Sequence, residues 1–167
     1  MISFHEAHQQ LLKSIIFKDW KSNHDSSYLS HFYCQVDSKL NQTTSWELGF
    51  YLPKEDKITT FIVAQEVAIK AEDEVFKKEG TVDELPLEEV KTTLTEISPI
   101  IQELLQKEYS KEIFLTGFLI LQKYQGQTMW NVSFATKSLN IVNIKVNTQN
   151  KEVISHQSIN FIEQKAS

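Results

Sequence analysis

Apolar side chains recur along this chain in two rhythms. Ala7, Leu11, Leu12, Ile15 and Ile16 return at three- and four-residue steps up to Trp20, the spacing of one helical face. Ser3 and Glu6, three positions apart, form the capping box that starts such a helix. After the polar, cap-rich loop from Ser22 to Ser27 the rhythm changes. Tyr28 to Asp37 is rich in aromatic and β-branched residues, and a polar turn follows to Thr44. Trp46, Leu48 and Phe50 then alternate with Glu47, Gly49 and Tyr51, the period-two mark of a half-buried strand. Pro53 to Lys57 interrupts, and Ile58 to Val67 resumes. The pattern predicts one helix followed by a three-stranded antiparallel meander.

The same order returns further on. Ala71 to Gly80 is charge-rich and reads as a short helix ending at Gly80. Val90, Leu94, Ile97, Ile101, Leu104 and Leu105 predict a longer amphipathic helix, with Pro86 near its start and a kink or break after Ile97 imposed by Pro99. Four strand-like runs follow: Ile113 to Tyr124, Met129 to Thr136, Leu139 to Val146 and Glu152 to Phe161, separated by turns at Gln125-Gly126 and Thr148 to Lys151. The fold class expected is α+β, two tandem helix-plus-antiparallel-meander units (α-βββ-α-ββββ) packed as one compact protein. The first unit is 1–70, an acidic connector covers 71–85, and the second unit is 86–167.

Trp46-Glu47-Leu48-Gly49-Phe50 and Trp130-Asn131-Val132-Ser133-Phe134 share the order Trp, any, aliphatic, small, Phe. With one residue deleted from the second turn, Ile58, Phe61 and Val63 match Ile141, Ile144 and Val146. Several such matches in one order point to an internal duplication. The Trp130 strand, followed by Ile144-Lys145-Val146-Asn147-Thr148-Gln149-Asn150-Lys151-Glu152-Val153, resembles the tail of a PepSY-type domain over roughly Leu87 to Phe161. There a Trp-centred strand leads to Val-Asp-Ala-x-Thr-Gly-Glu-Val; here Asn147, Asn150 and Lys151 stand where Asp, Thr and Gly are usual. The resemblance implies a PepSY/cystatin-like fold and a non-catalytic module that binds or restrains a partner such as a protease.

Composition narrows the rest. A chain of 167 residues with 41% apolar content fills a real core, and a formal net charge of −5 opposes nucleic acid as a partner. The first residues, Met1 to Glu6, lack the basic and apolar regions of a secretory signal, and no run is long and apolar enough for a membrane span, so a soluble, cytoplasmic protein is expected. Cys34 is the single cysteine and sits in a strand-like run, where a free thiol behaves as a small buried hydrophobe. The four glycines, Gly49, Gly80, Gly117 and Gly126, make no phosphate-cradling cluster.

His5 and His8 are the nearest approach to metal-site spacing, but His5-Glu6-Ala7-His8 is not the His-Glu-x-x-His motif and no third ligand is near. His24, His31 and His156 are isolated. The acids from Glu55 to Glu89 fall in turns and on solvated faces, without a general acid–base pair. No catalytic residue, metal or cofactor is assigned. The function expected is protein binding or inhibition through a sheet face or edge. The alternative is a small-molecule carrier with a pocket between helix and sheet; a metal-dependent hydrolase ranks third. Trp46, Trp130 and Tyr51 are the binding candidates, with both tryptophans also serving as core anchors and Tyr51 on the opposite, exposed strand face. Function is expected where the copies differ: the Pro53 to Lys57 turn, the connector from Glu72 to Glu89, and the additional C-terminal strand.

Overall fold

A computed structural model of the protein describes residues 1–70, 73–74 and 81–162. The first helical region is two helices, not one. α1 spans Phe4–Lys13 and α2 spans Ile15–Ser22. Ser3 Oγ accepts from Glu6 N at 3.2 Å while Ser3 N donates to Glu6 Oε2 at 2.7 Å, closing the expected capping box. Ser14 is the reason for the break: its backbone is extended (φ −71°, ψ 141°), and its hydroxyl accepts from Phe17 N to start α2. The change of direction brings Phe17 and Trp20 into the core and leaves Ile15 and Ile16 76% and 43% exposed. Periodicity alone had placed those isoleucines on the buried face.

The strands are β1 Tyr28–Asp37, β2 Trp46–Leu52, β3 Lys57–Val63, β4 Val67–Ile69, β5 Asp73–Glu74, β6 Phe114–Tyr124, β7 Gln127–Thr136, β8 Asn140–Asn147 and β9 Val153–Asn160. They form one sheet in the order β4-β3-β2-β1-β6-β7-β8-β9, with β5 also pairing β3, and every pairing is antiparallel. The two meanders meet at the centre, where Phe32 opposes Leu121 and Cys34 opposes Leu119. The predicted strand from Ile58 to Val67 ends at Val63, turns, and returns as β4. The helix expected over 71–80 lies outside the described residues, except for Asp73–Glu74, which are strand.

The third helix, α3, spans Leu94–Glu108. It starts later than the apolar spacing suggested because Thr93 and Glu96 form a second capping box, while Leu87–Glu89 is a single 3₁₀ turn and Val90 lies outside the helix. Pro99 is accommodated inside α3 without the expected break. Between them the connecting chain is tied to the sheet: Leu85 N donates to Leu29 O at 2.8 Å, Lys91 N to Thr148 O at 3.0 Å, and Thr128 Oγ1 to Glu89 Oε2 at 2.7 Å. That hydroxyl, with Lys123 next to it, holds the Glu89 carboxyl below the usual glutamate range.

Alternation along the strands sorts side chains onto two faces. Phe32, Cys34, Leu48, Phe61, Leu119, Trp130, Val132, Phe134, Ile144 and Val146 face the helices and are buried with Ala7, Leu11, Ile97 and Ile101 in one core that spans both halves. The two tryptophans also pin the helix starts. Trp46 Nε1 donates to Ile2 O, and Trp130 Nε1 to Thr92 Oγ1, both at 2.9 Å, and each acceptor belongs to the residue just before its helix's N-cap.

Candidate functional site

The two outer edges of the sheet are built differently. On the first side β3 is flanked, among the described residues, by β4, 3 residues long, and by β5, 2 residues long. Lys70 closes β4: its amide donates to Thr60 O at 2.8 Å, and its ammonium lies 3.2 Å from Glu47 Oε2. Short, charged edges resist the addition of another strand.

On the other side β9 runs for 8 residues, Val-Ile-Ser-His-Gln-Ser-Ile-Asn, without a charged residue, proline or glycine. Ile154 to Ser158 are all exposed. Phe161 N donates to Leu139 O at 3.0 Å, which continues the register in which Ile141 opposes Ile159 and Asn143 opposes Gln157. Because hydrogen-bonded and non-hydrogen-bonded pairs alternate in an antiparallel ladder, Ile159 and Gln157 bond to β8, and the amides and carbonyls of His156 and Ser158 point away from the sheet. On the helix side, Tyr109 Oη lies 2.7 Å from His156 Nδ1 at the end of α3, with the rings edge to face. The lack of guarding residues was visible in the sequence. That this strand is the edge was not, since it follows from the order of all the strands.

The face of the sheet away from the helices is the second feature. It carries Tyr33, Gln35, Ile120, Phe118, Asn131, Ser133, Ala135, Ile141 and Asn143, and Asn143 Nδ2 joins Asn131 Oδ1 at 2.6 Å and Ser133 Oγ at 2.9 Å. Toward the first half, His31 opposes Gly49, and a Cβ on Gly49 would sit 2.1 Å from the imidazole, so only glycine leaves room for that ring. Ser30 Oγ lies 2.9 Å from His31 Nδ1, and burial pushes the imidazole down to about 4.

Tyr51 is on this face too, but it is 7% exposed and not the solvent-facing side chain expected. Its hydroxyl donates to Asp56 Oδ1 at 2.5 Å, its ring packs against Tyr28 at 5.5 Å, and Tyr28 Oη in turn donates to Val82 O. The bond it donates to the Asp56 carboxylate, followed by desolvation, raises the phenol to about 12. Sequence reasoning missed this cover because Tyr28, which packs on Tyr51 and is itself bonded to Val82, is brought there by the β1–β2 pairing.

Trp130 is fully buried, edge-on to Phe4 at 5.5 Å. Trp46 is 2% exposed but stands at the rim of two open hollows, of about 590 and 680 Å³, that share Met1, Ile2, Gln42 and Trp46 in their walls. The three binding candidates are therefore not brought together: one is sealed, one is a rim residue on the helix side, and Tyr51 is on the other face.

The remaining chemistry is structural. Cys34 is buried, and desolvation pushes its thiol to about 12, far from the thiolate a nucleophile needs. His5 packs at a tilt on Phe4 and His8 abuts Phe32; desolvation, then the charge of His5, lowers the His8 imidazole. Among the described residues no three His, Cys, Asp or Glu side chains are grouped as a metal would require. None of the helices is long and apolar enough to cross a membrane among the described residues.

No family model matches this sequence, and no curated protein matches it. Among solved structures, one called a "putative lipoprotein" from Clostridium difficile 630 is similar at 12% identity and a TM-score of 0.49, over 86% of this chain and 90% of that one.

Proposed function

We propose that the protein is a non-catalytic binding module that captures an extended segment of a partner polypeptide as an added strand on β9. The carrying observation is the asymmetry of the edges: the described strands of one are only 3 and 2 residues long with Lys70 after the first, while β9 presents the outward amides of His156 and Ser158 on an uncharged strand of 8 residues. Main-chain bonds to such an edge supply affinity, and alternate side chains supply selectivity.

The duplication and the PepSY-type resemblance belong to the same reading. Trp46 opposes Val63 and Leu48 opposes Phe61 in the first half; Trp130 opposes Val146 and Val132 opposes Ile144 in the second. Matched registers, matched capping boxes and matched indole bonds support descent from one helix-and-meander unit. In the turn after β8, Asn147 Oδ1 accepts from Gln149 N at 2.8 Å, a bond that the aspartate usual at this place in the PepSY pattern could equally accept. On this reading β9 matches the strand whose described parts in the first copy are the short β4 and β5, which is why binding is assigned to the second copy.

The test is a displayed library of extended peptides screened against the full chain. Ser158→Pro deletes an outward donor but no bond to β8, so it is expected to abolish binding while the fold persists. Binders indifferent to Ser158→Pro and to His156→Pro would defeat the proposal. A carrier function is favoured by one observation, the hollows beside Trp46. It predicts that an apolar dye such as anilinonaphthalene sulfonate binds the native protein and is lost on Trp46→Ala.

A further inference from the structure

At the end of the sheet where β6 begins and β7 closes, three large aliphatic side chains stand outside the core. Ile113, Leu115 and Leu139 are 58%, 56% and 54% exposed. They are neighbours: Lys137 N donates to Ile113 O at 2.9 Å, and Phe114 opposes Thr136. Leu139 adds an independent sign, because its backbone is left-handed with φ 64°, a conformation a leucine side chain opposes. Leu40 adopts the same conformation with φ 66°, but it is 3% exposed and its burial explains its presence. Among the described residues nothing in the packing explains Leu139. A strained position that keeps a large exposed aliphatic, where Asn or Gly would be easier, points to contact with something outside the chain.

The charges around these tips indicate what that is. Lys111 and Lys137 each stand two positions before an exposed aliphatic, Ile113 and Leu139, and Lys39 lies at the same end because Asp37 opposes Thr116. All three lysines are exposed. Two of the nearby carboxylates are engaged by local donors: Glu112 accepts from Ser138 Oγ and from Asn140 Nδ2, and Asp37 accepts from Lys39 N, Asn41 N and Asn41 Nδ2. Lys107 and Glu108, in the last turn of α3, offset each other. This end is thus edged with lysines although the chain carries −5 overall.

We propose that this end docks on an anionic lipid surface. Ile113, Leu115 and Leu139 enter the headgroup layer, and Lys39, Lys111 and Lys137 lie against the phosphates. A bilayer suits the pattern better than a protein face does. The tips come from the start of β6 and from the β7–β8 turn and are interspersed with cations, matching a surface that is anionic above and apolar beneath, whereas the centre of a protein interface is depleted of charge. The acidic remainder of the molecule is repelled by the same membrane, which fixes the orientation.

The experiment is cosedimentation of the full chain with phosphatidylcholine vesicles, with and without about 30% phosphatidylserine, at low and high salt. Binding is expected only to the anionic vesicles, weakening about fivefold for each of Lys111→Gln and Lys137→Gln. Leu139→Asn is expected to weaken it about threefold or more, from the lost apolar contact. Asparagine tolerates the left-handed backbone, so the thermal midpoint of Leu139→Asn should hold or rise, which separates lost docking from lost folding. Absence of binding, equal binding to neutral vesicles, or indifference to Leu139→Asn would overturn the proposal. So would lipid-free self-association that Leu139→Asn abolishes, which assigns this end to a second copy. Ser158→Pro should leave vesicle binding unchanged, so the edge-strand reading and this one can fail separately.

Discussion

Trp46 and Trp130 begin the same five-residue pattern and make the same kind of bond to the residue before a helix cap, yet their surroundings diverge. Trp130 lies under α1, edge-on to Phe4, with its indole held by a buried threonine hydroxyl; Trp46 stands between two open hollows with its indole on a main-chain carbonyl. Repeated sequence therefore gives repeated anchoring but not repeated enclosure. The largest expected effect separates these. Trp130→Ala should cost about 5 kcal/mol and Trp46→Ala about 3 kcal/mol in denaturant unfolding, because the second site can be refilled by water and by its neighbours. Equal costs would mean that the Trp46 hollows are closed in solution.

The open face divides the halves by chemistry. His31 opposes Gly49 in the first half, and Phe118 opposes Ser133 at the corresponding place in the second. A histidine whose folded pKa is lowered to about 4 binds fewer protons than its unfolded counterpart. Its stabilising contribution is complete above the unfolded value near 6.5 and is lost as pH falls toward 4. On the order of 2–3 kcal/mol should disappear across that window, and His31→Phe should remove most of the slope, leaving the part that belongs to His8, whose imidazole is lowered in the same sense. The carboxylates of Glu6, Asp37, Glu89, Glu96 and Glu112, all held below their usual range, act later, as pH falls below about 4.5. A stability curve flat from pH about 6.5 to 4.5 in the wild type would refute the assignment to His31.

A smaller contrast lies in the core. Phe50 opposes Thr59, and Phe134 opposes Val142. The Thr59 hydroxyl is buried without a hydrogen-bond partner among the described residues, whereas Val142 has no such group. Thr59→Val should stabilise by about 1 kcal/mol and Val142→Thr should destabilise by about 1–3 kcal/mol, measured as shifts in unfolding midpoint. If Thr59→Val is neutral, a water reaches that hydroxyl.

These contrasts also show what the sequence made legible. Strands such as Tyr28–Asp37 and Phe114–Tyr124 were readable almost to the residue, because alternation and turn residues are local signals. The α1–α2 break was not, because Ser14 reads as one more helical position until its hydroxyl is seen capping Phe17. The start of α3 was misplaced because Val90 continues an apolar spacing that the Thr93 cap overrides. The C-terminal strand was legible as a strand, though not as one with counterparts, β4 and β5, beyond β3; that it is an unguarded edge depends on β1 joining β6, a pairing between residues some 85 apart in sequence that no local rhythm encodes. The lysine-flanked tips were in plain view as letters, but their exposure comes from the same topology.

The finest contrast is at the turns that lead to the outer strands. Ala64 to Glu66 joins β3 to β4 tightly, with Ala64 N donating to Glu66 O, whereas the turn from β8 to β9 is longer and built on Asn147. Lys151 in that turn has φ 65°, and its ammonium lies 3.4 Å from Glu96 Oε1 with both side chains nearly half exposed. Glycine stands at this place in the PepSY-type pattern. Lys151→Gly relieves a left-handed cost of about 1–2 kcal/mol. Against that stand an exposed ion pair worth about 0–0.5 kcal/mol and the greater unfolded-state freedom of glycine, about 0.5–1 kcal/mol. The net gain expected is about 0.5 kcal/mol, read as a rise in unfolding midpoint that persists at high salt. A gain of that kind would support a PepSY-type turn in which the backbone has been kept and the glycine exchanged for a lysine that reaches α3. A loss that salt removes would instead make the Lys151–Glu96 pair the reason the lysine is there, and would weaken the resemblance at the residue where it is most specific.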